Sequence, residues 1–111
     1  MTAMQNGIPQ TTVQELKRRR DAGESFLLLD VRETWEAQTA SIGGKLIPQN
    51  EIPLRLAELD PAQEIIVHCR SGARSQRTAE FLQQNGFQRV ANLAGGILAW
   101  SDQIDPSVPK Y

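Results

Sequence analysis

Cysteine and histidine are nearly missing from this chain: Cys69 and His68 are the single representatives of each among 111 residues. One thiol cannot close an internal disulfide, and one thiol with one imidazole cannot build a cysteine-rich zinc site, so neither a structural metal nor another cofactor is expected. Charge of one sign is also missing. Twelve basic and thirteen acidic residues leave a net charge of −1, which supplies no global field to hold nucleic acid or an anionic membrane. No apolar run approaches the roughly 20 residues needed to span a bilayer. The first residues, Met1-Thr2-Ala3-Met4-Gln5-Asn6-Gly7, carry neither a charged n-region nor an apolar h-region, so no signal peptide is expected. A free thiol without an export signal places the chain, as an expectation, in a reducing cytoplasm. Repeats and low-complexity segments are absent too.

What is present is an alternation of strand and helix signals. Residues 1–10 are polar and weakly patterned, with Ile8-Pro9 suited to a short edge strand, and residues 1–7 are expected to form a flexible segment. Thr12-Val13-Gln14-Glu15 reads as a capping box opening a helix that ends near Ala22-Gly23. Phe26-Leu27-Leu28-Leu29-Asp30-Val31 is a continuous apolar run closing on an aspartate, the pattern of a strand covered on both faces. Glu33 to Thr39 suits a short helix carrying Trp35, Lys45-Leu46-Ile47 a short strand, and Ile52, Leu56 and Leu59 a helical face ended by Asp60-Pro61. Glu64 to His68 is a second buried strand, Thr78, Phe81, Leu82 and Asn85 lie on a helix, and Arg89 to Leu93 forms a further strand. Gly95-Gly96 then turns into a helix with Leu98 and Trp100, and residues 105–111 are expected to fray as a tail. This alternation predicts an α/β layer fold with a mainly parallel sheet. In such sheets ligands bind beyond the carboxyl ends of the strands, where both Asp30 and Cys69 fall.

Cys69 opens the run Cys69-Arg70-Ser71-Gly72-Ala73-Arg74-Ser75, between a strand and a helix. A thiol is a poor nucleophile until it ionises, and a helix N-terminus or neighbouring cations favour the thiolate. Here the backbone N–H groups precede a helix and can converge on a negative centre. Arg70 and Arg74 add permanent charge, Gly72 permits the turn, and Ser71 and Ser75 offer hydroxyl donors. A lone cysteine ending an apolar strand is often only a small buried residue. Two flanking arginines at a helix start outweigh that reading. His68 is not read as a base, because adjacent strand residues point to opposite faces. Asp30 and Arg32 are read either as bracing the loop or as pairing with each other, the second being favoured. Lys17-Arg18-Arg19-Arg20 reads as a solvated helix face rather than a nucleic-acid patch.

Three segments together resemble the signatures of single-domain rhodaneses, in the family's order and spacing: Leu29-Asp30-Val31-Arg32-Glu33, the Cys69 to Ser75 loop, and Leu93-Ala94-Gly95-Gly96-Ile97-Leu98-Ala99-Trp100. The resemblance covers residues 8–104. It implies a single rhodanese-like domain with a mainly parallel five-stranded central sheet and helices on both faces. It also implies a thiosulfate-type sulfurtransferase in which Cys69 carries the sulfur as a persulfide. The implied substrates are a small-molecule sulfur donor and a thiol or cyanide acceptor. A sulfur-carrier role between partner proteins, such as a thioredoxin-like or sulfur-relay protein, is the alternative. Cys69 and Arg74 enclose four residues, whereas related cysteine phosphatases use five, a wider cradle suited to a tetrahedral oxyanion. Arg70 resembles the thiosulfate type more than the mercaptopyruvate type, which usually carries glycine there. One departure stands out: where the family commonly has Gly-His-Ile-Pro-Gly, this chain has Ala40-Ser41-Ile42-Gly43-Gly44.

Overall fold

A computed structural model describes residues 3–111. Chain order is β1 (Ala3–Gln5), β2 (Ile8–Thr11), α1 (Val13–Asp21), β3 (Leu27–Asp30), α2 (Thr34–Thr39), β4 (Lys45–Leu46), two short 3-10 turns (Gln49–Leu54 and Leu56–Glu58), β5 (Ile65–His68), α3 (Ala73–Gln84), β6 (Val90–Leu93) and α4 (Gly96–Gln103). The strands form one sheet in the order β1-β2-β6-β5-β3-β4. All neighbours run parallel except β1, which pairs antiparallel with β2. The five expected strands are therefore there, and a sixth is added at the edge. Residues 3–5, read from sequence as flexible, form that strand, because Asn6-Gly7 takes positive φ angles (50° and 77°) and folds the chain back as a hairpin.

The apolar runs of β3 and β5 are covered on both sides. Leu29, Ile65 and Val67 face one core with Ala79, Leu82 and Phe87. Leu28 and Ile66 face the other with Val13, Leu16, Leu93 and Ile97. Period-two alternation in a parallel sheet thus feeds two layers, α3 on one face and α1 with α4 on the other. The helix expected around Ile52 to Leu59 is instead two 3-10 turns, with Pro53 inside the first; proline lacks the N–H an α-helix would need there.

Thr12 caps α1 as expected, its hydroxyl accepting from the Glu15 N–H at 3.1 Å, but the expected box does not close, because the Glu15 carboxylate accepts from Arg18 instead of the Thr12 N–H. The basic run on α1 is largely engaged. Lys17 pairs with Asp21, Arg18 with Glu15 and Glu24, and Arg19 with Glu24 and Glu64, while Arg20 lies over Trp100. Among the described residues no helix is long and apolar enough to cross a membrane.

Residues 40–44 show how the chain manages without the family's common histidine and proline. Ser41 Oγ accepts from the Gly43 N–H at 2.9 Å, and Gly43 stands at φ 89°, which proline cannot adopt. The tail does not fray as a free end. Val108 packs against the second core, and its carbonyl accepts from Ser101 Oγ at 2.6 Å.

Candidate active site

Parallel register brings the strand ends together. Asp30 of β3 lies beside His68 of β5, and Val67 beside Asn92 of β6. Cys69 follows β5 directly, at the carboxyl edge of the sheet, and is fully buried. The loop then curls back over the thiol. Gly72 makes this possible at φ 103°, a backbone conformation unfavourable to any residue with a Cβ. Sγ accepts from the Gly72 N–H at 3.1 Å and from the Ser75 N–H at 3.4 Å, and Ser75 Oγ lies 3.3 Å away. Burial pushes the Cys69 thiol up, but the Ser75 hydroxyl and the N–H groups of Ser75, Gly72 and Ser71 outweigh it and hold the thiol below its ordinary value.

The loop is held from behind by α4. Ile97 N–H donates to the Cys69 carbonyl at 3.0 Å and Leu98 N–H to the Arg70 carbonyl at 3.1 Å. This approach requires Gly96, since a Cβ there would stand 2.4 Å from the Cys69 carbonyl oxygen. The Gly-Gly pair of the third signature thus lets one helix N-terminus grip the loop that begins another.

The two arginines do not aim at sulfur. Arg74 makes a bidentate pair with Glu36 of α2, at 2.7 and 2.9 Å. The Arg74 guanidinium holds the Glu36 carboxyl below its usual range. Arg70 is exposed, with its guanidinium 5.6 Å from the Tyr111 ring centroid and within 3.4 Å of the Lys110 carbonyl. Trp35, 58 % exposed, meets the same tyrosine edge-on at 6.2 Å. It stands at the rim of the site rather than in the core.

Asp30 and Arg32 form a separate, dry corner. Arg32 is fully buried and grips Asp30 through Nε at 3.0 Å and Nη2 at 2.7 Å. Its remaining N–H groups donate to the carbonyls of Glu36, Ala40 and Tyr111. The two residues pair with each other and pin backbone, and neither has a side-chain hydrogen bond to the loop. His68 lies behind them, its Nε2 3.8 Å from Asp30 Oδ2. Burial lowers its pKa to about 4, the Asp30 charge opposing and the Arg32 charge adding to the effect. It is a neutral packing imidazole near pH 7, not a base for the thiol.

Sequence reasoning did not single out Glu36, Asn92 or Gln76. Glu36 carries a signal in hindsight, as it opens α2 in a reciprocal capping box with Glu33. Asn92 is 2 % exposed and sits mid-strand, where an amide needs partners. Its Oδ1 is 2.5 Å from Ser75 Oγ and its Nδ2 3.2 Å from the Gly72 carbonyl.

Chemically, the loop is a compact nest of donors around one sulfur, backed by a helix N-terminus and free of a general base. Known proteins of similar sequence and shape carry this arrangement into a family. A sulfurtransferase of Allochromatium vinosum is 38 % identical over 89 residues, covering 79 % of this chain and 83 % of that protein. The maize adenylyltransferase and sulfurtransferase MOCS3-2 is 36 % identical over 96 % of this chain, which spans only 24 % of that longer protein. The crystal structure of a rhodanese-like domain protein from Staphylococcus aureus superposes with a TM-score of 0.78 at 28 % identity, over 92 % of this chain and 97 % of that one. The rhodanese-like domain model matches residues 12–103, from the cap of α1 to the end of α4, and so takes in the loop and the elements that shape it. The chain belongs to the family of rhodanese-like domains, whose sulfurtransferases are its relatives.

Proposed function

We propose that this protein is a thiosulfate-type sulfurtransferase that works through a Cys69 persulfide. The observation that carries the reading is the convergence of the Gly72 and Ser75 N–H groups on one buried sulfur, with no neighbouring base. Backbone donors favour the thiolate without any proton acceptor. They also remain in place for the extra sulfur atom of a persulfide. The thiolate attacks the outer sulfur of thiosulfate, the sulfur–sulfur bond of the donor breaks, and sulfite leaves with the electron pair. An external nucleophile then attacks the terminal sulfur of the persulfide and Cys69 leaves as thiolate. Cys69 is the only cysteine, so the acceptor must come from outside. Ser71, Gly72, Ala73 and Ser75 shape the cradle, and Arg70, exposed and drawn toward Tyr111 and the Lys110 carbonyl, swings from them to meet the anionic end of a donor.

A carrier role is the second reading, in which Cys69 receives sulfur from a protein persulfide and passes it to a thioredoxin-like or sulfur-relay partner. A Bacillus subtilis relative favours it, a putative sulfur carrier protein 35 % identical over 90 % of this chain and 55 % of that protein. Intact-mass measurement separates the two. Thiosulfate treatment is expected to add about 32 Da to the wild type and nothing to Cys69→Ser, with thiosulfate-to-cyanide turnover lost in the variant. Loading only by a protein persulfide supports the carrier; no loading from either source overturns both.

A further inference from the structure

Ser75 carries one hydroxyl proton and faces two acceptors. Asn92 Oδ1 lies at 2.5 Å and Cys69 Sγ at 3.3 Å. The orientation of Asn92 is not free, because its Nδ2 donates to the Gly72 carbonyl, which leaves Oδ1 toward Ser75. Nor does the chain stop there. Asn92 Nδ2 also donates to Gln10 Oε1 at 3.0 Å, Gln10 Nε2 to Gln76 Oε1 at 2.7 Å, and Gln76 Nε2 to Glu80 Oε2 at 2.8 Å. Gln10 and Gln76 are anchored in those orientations by backbone carbonyls, Ile8 at 3.1 Å and Gln5 at 2.9 Å. Every link donates in one direction, away from Cys69 and toward a carboxylate. Bonds aligned head to tail polarise one another.

We propose that Asn92 is a positioning residue that draws the Ser75 hydroxyl proton away from Cys69, so that the amide chain ending at Glu80 sets how readily the thiol becomes a nucleophile. In the thiol state the sulfur proton points to Ser75 Oγ, and the Ser75 proton points to Asn92. On ionisation the sulfur proton goes to solvent, and Ser75 turns its own proton to Sγ, where a charge-assisted bond is stronger. That turn leaves the buried Asn92 Oδ1 without its donor, so the thiolate forms against a restraint. The loop therefore combines backbone donors that favour the thiolate with a side-chain acceptor that opposes it.

Other charged groups stand around the same loop: Arg70 and Arg74 within it, Glu36 and Glu33 of the α2 start facing Arg74, and the Asp30–Arg32 pair with neutral His68 behind. None lies in the amide chain, so changes at Asn92 leave them in place.

The test is the pH profile of Cys69 alkylation by iodoacetamide. It needs no sulfur donor and so fails independently of the sulfurtransferase reading, on which the role in turnover rests. Asn92→Ala is expected to lower the midpoint by about half a unit to one unit, and Asn92→Asp, a stronger acceptor, to raise it. Both variants lose the N–H donor to Gly72, and the new charge of Asn92→Asp raises the midpoint by itself, so the decision rests on the part of each shift that depends on the Ser75 hydroxyl. In a Ser75→Ala background the Asn92→Ala shift is expected to vanish. Gln76→Leu, outside the loop, is expected to lower the midpoint by a smaller amount. Equal-direction shifts in the two Asn92 variants, or a full Asn92→Ala shift without the Ser75 hydroxyl, would overturn the proposal. If Asn92→Ala does not fold, the Asn92→Asp shift with and without Ser75→Ala makes the same decision: persistence of all of it in the Ser75→Ala background overturns the proposal.

Discussion

Two corners of this molecule stand at the carboxyl ends of neighbouring strands and both contain arginine, yet they are built on opposite principles. In the Asp30–Arg32 corner the two charges match each other in a bidentate ion pair, and the rest of the guanidinium donates to three backbone carbonyls. In the Cys69 loop backbone donors converge on a single sulfur, and the Arg74 guanidinium is occupied by Glu36. A closed set of partners holds shape. A set of donors around one polarisable atom can accept a change in that atom's charge. The difference teaches that the arginines flanking a buried thiol need not be what favours its thiolate, since the Ser75 hydroxyl and the loop N–H groups do so here.

The comparison breaks most readily at Arg32. Arg32→Ala leaves Asp30 as a buried unpaired carboxylate, and a loss of about 3–5 kcal/mol in denaturant unfolding is expected. The double change Asp30→Leu with Arg32→Met should recover most of it. The molecules that remain folded should keep the alkylation profile of Cys69; a shifted profile would mean that the corner tunes the thiol after all.

His68 gives the next effect. Its folded pKa of about 4 lies below the ordinary 6.5, so between those values the unfolded chain binds more protons and stability falls as pH falls. The window runs from about pH 6.5 down to about pH 4, and the loss is of order 3 kcal/mol. His68→Leu should flatten that part of the stability profile. Glu36 contributes separately and lower on the scale. Its carboxyl is held below its ordinary value by Arg74, so its contribution is complete above the ordinary carboxylate range and is lost as pH falls through the lower folded value.

The smallest effect sharpens the reading of Arg74. Glu36→Gln removes the partner and frees the guanidinium charge beside the loop, which should lower the Cys69 alkylation midpoint by a few tenths of a unit, about the size of a half-screened charge contact. Arg74→Ala should move it upward, since the Glu36 charge then stands alone. An unchanged midpoint in both would remove Arg74 from the electrostatics of the thiol.

Much of the fold was legible because its signals are local. The apolar runs at Leu27 to Asp30 and Ile65 to His68 need cover on both faces, and the cap at Thr12 lies within a turn of the helix it opens. The edge strand at Ala3–Gln5 was not legible. Its residues are all exposed, so no periodic apolar pattern marks it, and it exists through the Asn6-Gly7 turn and the backbone of β2. The 3-10 turns were misread because Ile52, Leu56 and Leu59 satisfy helical spacing while Pro53 interrupts the hydrogen bonds.

By itself the sequence determined the single thiol, the loop that begins at it, and the layered α/β plan. Each rests on residue identity or on spacing within one segment. Only the tertiary structure decided which groups meet. Glu36 reaches Arg74 across 38 positions, Asn92 reaches Ser75 across 17, and Gln10 reaches Gln76 across 66. Parallel strands joined through helices bring such distant positions to one edge, and pairings of that range leave no pattern along the chain for a reader of residues to find.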